Sequence, residues 1–220
     1  MIGSVEAQVN GFQSLSSIRL HLPLPGVGGP VNRVAQITFV ILTLVGSWLG
    51  MQAIHEFGHV VGAWVTRGEV ERVVLHPLTI SRTDLRENPH PLVVVWAGPV
   101  LGVLIPLSLW WIASAMRLSI AYLPRFFAGF CLIANGAYIG LGAWDRIGDC
   151  GEMLKQGSSI WLLWLFGGMT IPIGLWLWHG QGGHFGFGSN KRPIRGGVVL
   201  FAFLTCVVLL AQGIWLSHRC

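Results

Sequence analysis

Hydrophobic positions in this chain come in long runs, not in the short alternations of a soluble sheet. Five runs stand out, over residues 34–66, 91–116, 122–143, 158–179 and 197–217. An apolar stretch of about 20 residues is long enough to cross the hydrocarbon core of a bilayer as a helix. One such run could be a buried core helix, but five in 220 residues leave little else to bury them. The pattern predicts an all-α polytopic membrane protein with about five transmembrane helices.

The connections carry the remaining pattern. Residues 67–90 hold β-branched and alternating positions on either side of His76-Pro77, which predicts a small β-hairpin from Glu69 to Arg82 between the first two helices. A lone hairpin is marginal in water, so it should lie on the helices or on the membrane surface. Residues 180–196 are Gly-rich and end in Lys191-Arg192-Pro193-Ile194-Arg195, which reads as an irregular, flexible loop with juxtamembrane charge. The organisation that follows is an extramembrane arm over 1–33, a three-helix unit over 34–155 and two further helices over 156–220. Residues 1–30 lack the basic start and apolar core of a cleavable signal.

Composition agrees: 53% of residues are hydrophobic, 10% are charged and the mean hydropathy is +0.64. A soluble domain carries roughly a quarter charged residues. The expected location is an integral, multi-pass one, in the cell membrane if the source is bacterial. The net charge of +5 suits contact with anionic lipid, and no basic run is long enough to suggest nucleic acid. Lys and Arg divide seven against seven between the two sides of a five-span chain, so charge does not assign an orientation. The four cysteines form no CxxC pair, and Cys131 and Cys206 fall within apolar runs as ordinary small hydrophobes.

One polar group interrupts the first run, at His55-Glu56-Phe57-Gly58-His59. On a helix the two histidines, four residues apart, share a face and can both reach one zinc ion. Glu56 is then placed as a general base toward a zinc-activated water. Ionisable residues at such a depth cost about 2.5–3.5 kcal/mol each on insertion scales, and a metal is a natural compensating partner. Two histidines leave a catalytic zinc one protein ligand short. The acids near spans are Asp145, Asp149 and Glu152 at the end of the third run. Asp149, flanked by glycines in Ile147-Gly148-Asp149-Cys150-Gly151, lets the backbone approach a metal closely. Asp145 is the alternative, with Arg146 beside it.

These features together resemble the three-helix core of the site-2 protease (M50) family of intramembrane metallopeptidases. The resemblance covers about residues 45–155. It rests on the HExxH on a membrane helix, the strand-like connection, Ala97-Gly98-Pro99-Val100-Leu101-Gly102 opening the second helix, and Asn135 followed by an Asp-containing Gly-rich turn. It implies one Zn2+ per chain held by His55, His59 and an Asp, for which Asp149 is favoured, with Glu56 as base. The implied substrate is a membrane-spanning protein segment, unwound and cut within the lipid bilayer. Gly102 stands where the family often has Asn, and no Pro lies between Asn135 and Asp149. Asn135 is therefore the nearest side chain to serve as the catalytic oxyanion donor. Two other readings remain open: an inactive membrane protein that keeps a structural or regulatory metal site, and a metal transporter. The transporter needs a second ligand set, and the last two runs carry no acidic residue.

Overall fold

The structure is a computed structural model that describes residues 32–78 and 81–218, with side chains to residue 216. The arm expected over 1–33 therefore lies almost wholly outside the described residues. Among the described residues five helices are long and apolar enough to cross a membrane: α1 (Arg33–Val65), α2 (Pro91–Ala115), α3 (Tyr122–Asp145), α5 (Ile160–Trp178) and α6 (Gly196–His218). A short α4 (Asp149–Lys155) follows α3. Two strands, β1 (Glu69–Val74) and β2 (Arg82–Glu87), lie between α1 and α2. The chain is an all-α, multi-pass integral membrane protein with one small hairpin. Its outward faces are those of a lipid-solvated bundle, with Trp111, Trp161 and Val208 among many large apolar side chains left exposed.

α1 begins where Asn32 Oδ1 accepts from the backbone N–H of Val34 (3.0 Å) and Ala35 (3.3 Å), satisfying two of the orphan donors of a helix start. It runs unbroken for 33 residues, about 50 Å at 1.5 Å per residue, and so exceeds the roughly 30 Å hydrocarbon core. Gly46 and Gly50 do not interrupt it. They admit neighbours instead, since a Cβ would stand 3.3 Å from Cys206 Sγ at Gly46 and 3.2 Å from the Phe127 ring at Gly50. α3 and α5 meet through glycines on both sides, with Gly140 and Gly167 at near backbone contact, the small-residue packing of membrane helices. α5 thus packs on α3, and α6 packs on α1.

The hairpin is antiparallel, pairing Val74 with Arg82 and Val73 with Thr83. Its second strand lies later in sequence than the β-branched run suggests. In the expected Leu78–Arg82 segment Leu78 is a bend, residues 79 and 80 lie outside the described set, and β2 is the charged stretch Arg82–Glu87. Cross-strand ion pairs account for this. Arg72 Nε reaches Asp84 Oδ2 at 2.5 Å and Arg86 Nη1 reaches Glu69 Oε1 at 3.0 Å, while Thr83 and Leu85 turn toward a cavity. Neighbours decide strand formation more than intrinsic propensity does.

The hairpin lies on the helices, as one of the two expected placements has it, and runs back along α1. Gly68 N–H donates to Ala63 O (2.7 Å), Thr83 meets Glu56, Ser81 meets Gln52, and Trp48 Nε1 donates to Pro77 O (2.9 Å). From Ala63 back to Trp48 is about 22 Å of helix. Non-helical backbone beside spanning helices is tolerated against protein or a wet cavity, and here α1, α6 and the cavity flank it.

Candidate metal centre

α1 presents four buried polar side chains on one face: Gln52, His55, Glu56 and His59. Their spacing of three, one and three residues follows the helical repeat. Opposite them, α3 ends with Arg146 at φ 54° and the chain reverses through Gly148 at φ 61°, a left-handed backbone that suits glycine. A Cβ on Gly148 would also run into the Tyr138 hydroxyl. Asp149 then opens α4, and Tyr138 Oη accepts its backbone N–H at 3.1 Å. α4 is fixed from beneath by Cys150 and Met153, both fully buried in a cluster with Val95, Ile139, Ala143 and Leu163.

This brings together His55, His59 and Asp149, residues 94 positions apart in sequence. His55 Nε2 lies 2.8 Å from Asp149 Oδ2, His59 Nε2 lies 3.3 Å from the same oxygen, and the two Nε2 atoms are 3.1 Å apart. Ligands on a tetrahedral zinc at about 2.0–2.1 Å would be separated by roughly 3.3 Å. The group is the kind of buried cluster that could hold a metal ion.

The hydrogen bonds behind the rings test that fit. His55 Nδ1 lies 2.7 Å from Asn135 Oδ1, and Asn135 Nδ2 donates to Cys131 O at 2.9 Å, which fixes the amide with its oxygen toward the histidine. His59 Nδ1 lies 2.9 Å from Val94 O. Both Nδ1 atoms thus face acceptors and carry the proton, so in the neutral imidazoles both Nε2 lone pairs point inward. Two lone pairs and a carboxylate oxygen converge on one spot, and a cation there satisfies all three. The donor set fits a divalent metal with imidazole and carboxylate preference.

Glu56 is buried beside this group, and its Oε2 accepts from Thr83 Oγ1 on β2 at 2.7 Å. A cavity of about 750 Å³ opens over the group, lined among others by Glu56, Thr83, Leu85, Tyr138 and Asp149. Asp145 is exposed at the end of α3 and outside the group. The Asn135 amide is committed to the scaffold at both ends, with Oδ1 on His55 Nδ1 and Nδ2 donating to Cys131 O. Thr83, Tyr138 and Gly98 are the residues the sequence did not single out for the site. Tyr138 carried a usable signal, lying three residues after Asn135 on the same face of an otherwise apolar helix. Thr83 carried none, since its link to Glu56 spans 27 residues.

No family model matches this chain, and no solved structure matches it. Among curated proteins it is similar to Protein crumbs homolog 2 of Mus musculus, with 41% identity over 69 residues. That stretch covers 30% of this chain and only 5% of that protein, so this likeness assigns no family.

Proposed function

We infer that the chain is a zinc-dependent intramembrane endopeptidase of the site-2 protease kind. The observation that carries this reading is the convergence of His55 Nε2, His59 Nε2 and Asp149 Oδ2 within 3.3 Å of one another, with the Glu56 carboxylate beside them at a cavity. His55, His59 and Asp149 would hold the ion. A zinc ion there supplies Lewis-acid polarisation of a peptide carbonyl and of a water.

The protein's own groups do the rest. The Glu56 carboxylate takes a proton from the attacking water and returns it to the leaving amide nitrogen. Thr83 donates to Oε2 and so holds the carboxylate in one orientation. Asn135 and Val94 O keep the two imidazoles in the tautomer with Nε2 free. Tyr138, whose hydroxyl accepts from Asp149 N–H and keeps its own proton to give, is the donor we assign to the developing oxyanion in place of Asn135. Among the described residues β2 pairs only with β1, so its other edge offers backbone groups to an extended peptide, with Thr83 and Leu85 at the cavity. A membrane-spanning substrate, unwound into a strand, would add to that edge.

The test is zinc content per chain in the detergent-solubilised full chain, with cleavage of a reporter transmembrane segment. About one zinc is expected in wild type and in Asp145→Ala, and little in His55→Ala and Asp149→Ala. Glu56→Gln should keep zinc and lose cleavage. Zinc retained with no cleavage in wild type would favour an inactive metal-site protein, and absence of zinc from wild type would end the reading.

A further inference from the structure

The two ends of the bundle differ in how their cations are partnered. Of nine acidic residues, Glu6 lies outside the described residues, and the other eight lie on the second half of α1, on the hairpin or in 145–152. At that end Arg72 and Arg82 pair with Asp84, Arg86 with Glu69 and Lys155 with Glu152, at 2.5–3.3 Å. The opposite end, where α1, α3 and α6 begin, holds Arg33, Arg117, Arg125, Lys191, Arg192 and Arg195, with no carboxylate among the described residues.

Three of these arginines are held close together. The 180–196 connection is docked, not loose: it forms a 3-10 turn over Gly182–Phe185, and Gln36 Nε2 donates to Phe185 O at 3.0 Å. Phe185 stacks on Phe39 with ring centres 5.3 Å apart, and His184 stacks on Tyr122 at 4.4 Å. Arg192 Nη1 lies 3.5 Å from His184 Nδ1, its backbone N–H donates to Gly183 O (2.9 Å), and Arg125 Nη2 donates to His179 O (3.2 Å). The Arg125 Nε–H is buried and has no hydrogen-bond partner. Arg125 and Arg192 both act electrostatically on His184, and Arg192 and Arg195 on Tyr122. The aromatic pair is thus the centre of a fixed cationic cluster.

We propose that this cluster, Arg125, Arg192 and Arg195 around the stacked Tyr122–His184 pair, binds the phosphate of an anionic lipid headgroup. The level in the membrane argues for lipid over a soluble anion. The cluster sits among the first turn of α3, the end of α5 at Trp178 and the start of α6 at Gly196, where spans leave the hydrocarbon and headgroup phosphates lie. Tyr122 and Trp178 are the amphipathic rings expected at that depth. Guanidinium forks match phosphate oxygens two at a time. Clusters of basic residues immediately outside a span are a recognised site for acidic lipid. The proposal stands apart from the metal centre and does not depend on it.

The experiment measures lipid binding to the detergent-solubilised full chain by native mass spectrometry, titrating phosphatidylglycerol against phosphatidylcholine. Phosphatidylglycerol should bind and survive detergent exchange, and phosphatidylcholine should not. The Arg192→Gln/Arg195→Gln double variant should weaken phosphatidylglycerol binding roughly 25-fold, at about fivefold per cation near an anionic surface. The charge-keeping Arg192→Lys/Arg195→Lys variant should lose far less, and Arg86→Gln, at the other end, nothing. Equal retention of the two lipids would overturn the proposal, as would phosphatidylglycerol binding unchanged in the double variant. Inorganic phosphate displacing the lipid at millimolar concentration would assign the cluster to a soluble anion and overturn it too.

Discussion

Replacing Gly98 by alanine tests the metal centre without touching a ligand. Gly98 lies in α2, where the helix passes His59. A Cβ placed there would stand 2.9 Å from His59 Cδ2 and nearer still to Cε1 and Nε2, the atom that faces the metal position. Ordinary contact between such atoms is about 3.5–4.0 Å, so the ring or the helix must retreat by about an ångström. The ring cannot do so freely, because Nδ1 is tied to Val94 O at 2.9 Å. α2 cannot easily move either, since Gly58 already faces Ala97 O and Gly62 faces Val94 across the same contact. Overpacking of this kind costs about 1–3 kcal/mol, which is roughly 5- to 150-fold in an equilibrium constant.

Metal sites lose function when ligands drift by about half an ångström. Gly98→Ala should therefore weaken zinc affinity by about 10- to 100-fold, the same order as loss of a ligand's supporting hydrogen bond. The assay is a competitive zinc titration against a chromophoric chelator in detergent. Gly168→Ala serves as control, because nothing lies within 4 Å of a Cβ there and its site on α5 is remote from the group. Wild-type zinc affinity in Gly98→Ala, in a folded protein, would refute the placement of His59 as a ligand.

Further tests address the supporting residues. Asn135→Ala should lower zinc affinity about 10- to 100-fold by freeing the His55 ring, read by the same titration. Thr83→Val should leave zinc affinity intact and slow cleavage about 10- to 100-fold, since a hydrogen bond to a charged group contributes about 1.5–3 kcal/mol. Tyr138→Phe should keep zinc within a fewfold and reduce kcat more than it changes KM, the sign of a donor used in the transition state; an unchanged kcat would remove Tyr138 from that role. Trp96→Phe removes the indole N–H donated to Ser158 Oγ at 2.9 Å, and should lower thermal stability by about 1 kcal/mol with zinc affinity unaffected.

The spans were legible because a bilayer demands uninterrupted apolar length, and each of the five runs becomes a helix within a few residues of its expected bounds. His55, Glu56 and His59 were legible because helical spacing alone puts them together. Asp149 was legible from local chemistry, since a glycine before it allows the left-handed turn that aims it back. What the sequence concealed depends on contacts across many residues. Asn135 Oδ1 reaches a histidine 80 positions away, so its polar character could equally have signalled a substrate contact. Gly98 and Gly102, four residues apart on α2, are points of close packing. The surfaces they pack on are His59 and Asn135, so the packing is itself what keeps those two side chains in place at the candidate metal centre.

The same logic explains why a charged, weakly β-prone stretch forms β2. Arg82, Asp84 and Arg86 are poor strand residues by propensity, but Asp84 gathers Arg72 and Arg82, and these arginines hold its carboxyl below the usual range. That pairing leaves Thr83 and Leu85, the alternate residues, directed to the cavity. A one-residue slip of the register would exchange Thr83 for Asp84 beside Glu56, setting two carboxylates together. The cross-strand ion pairs at Arg72 and Arg86 therefore fix the orientation of Glu56 through Thr83. Strand register at the hairpin and chemistry at the metal centre are in this sense one problem, solved by the sequence 69–87.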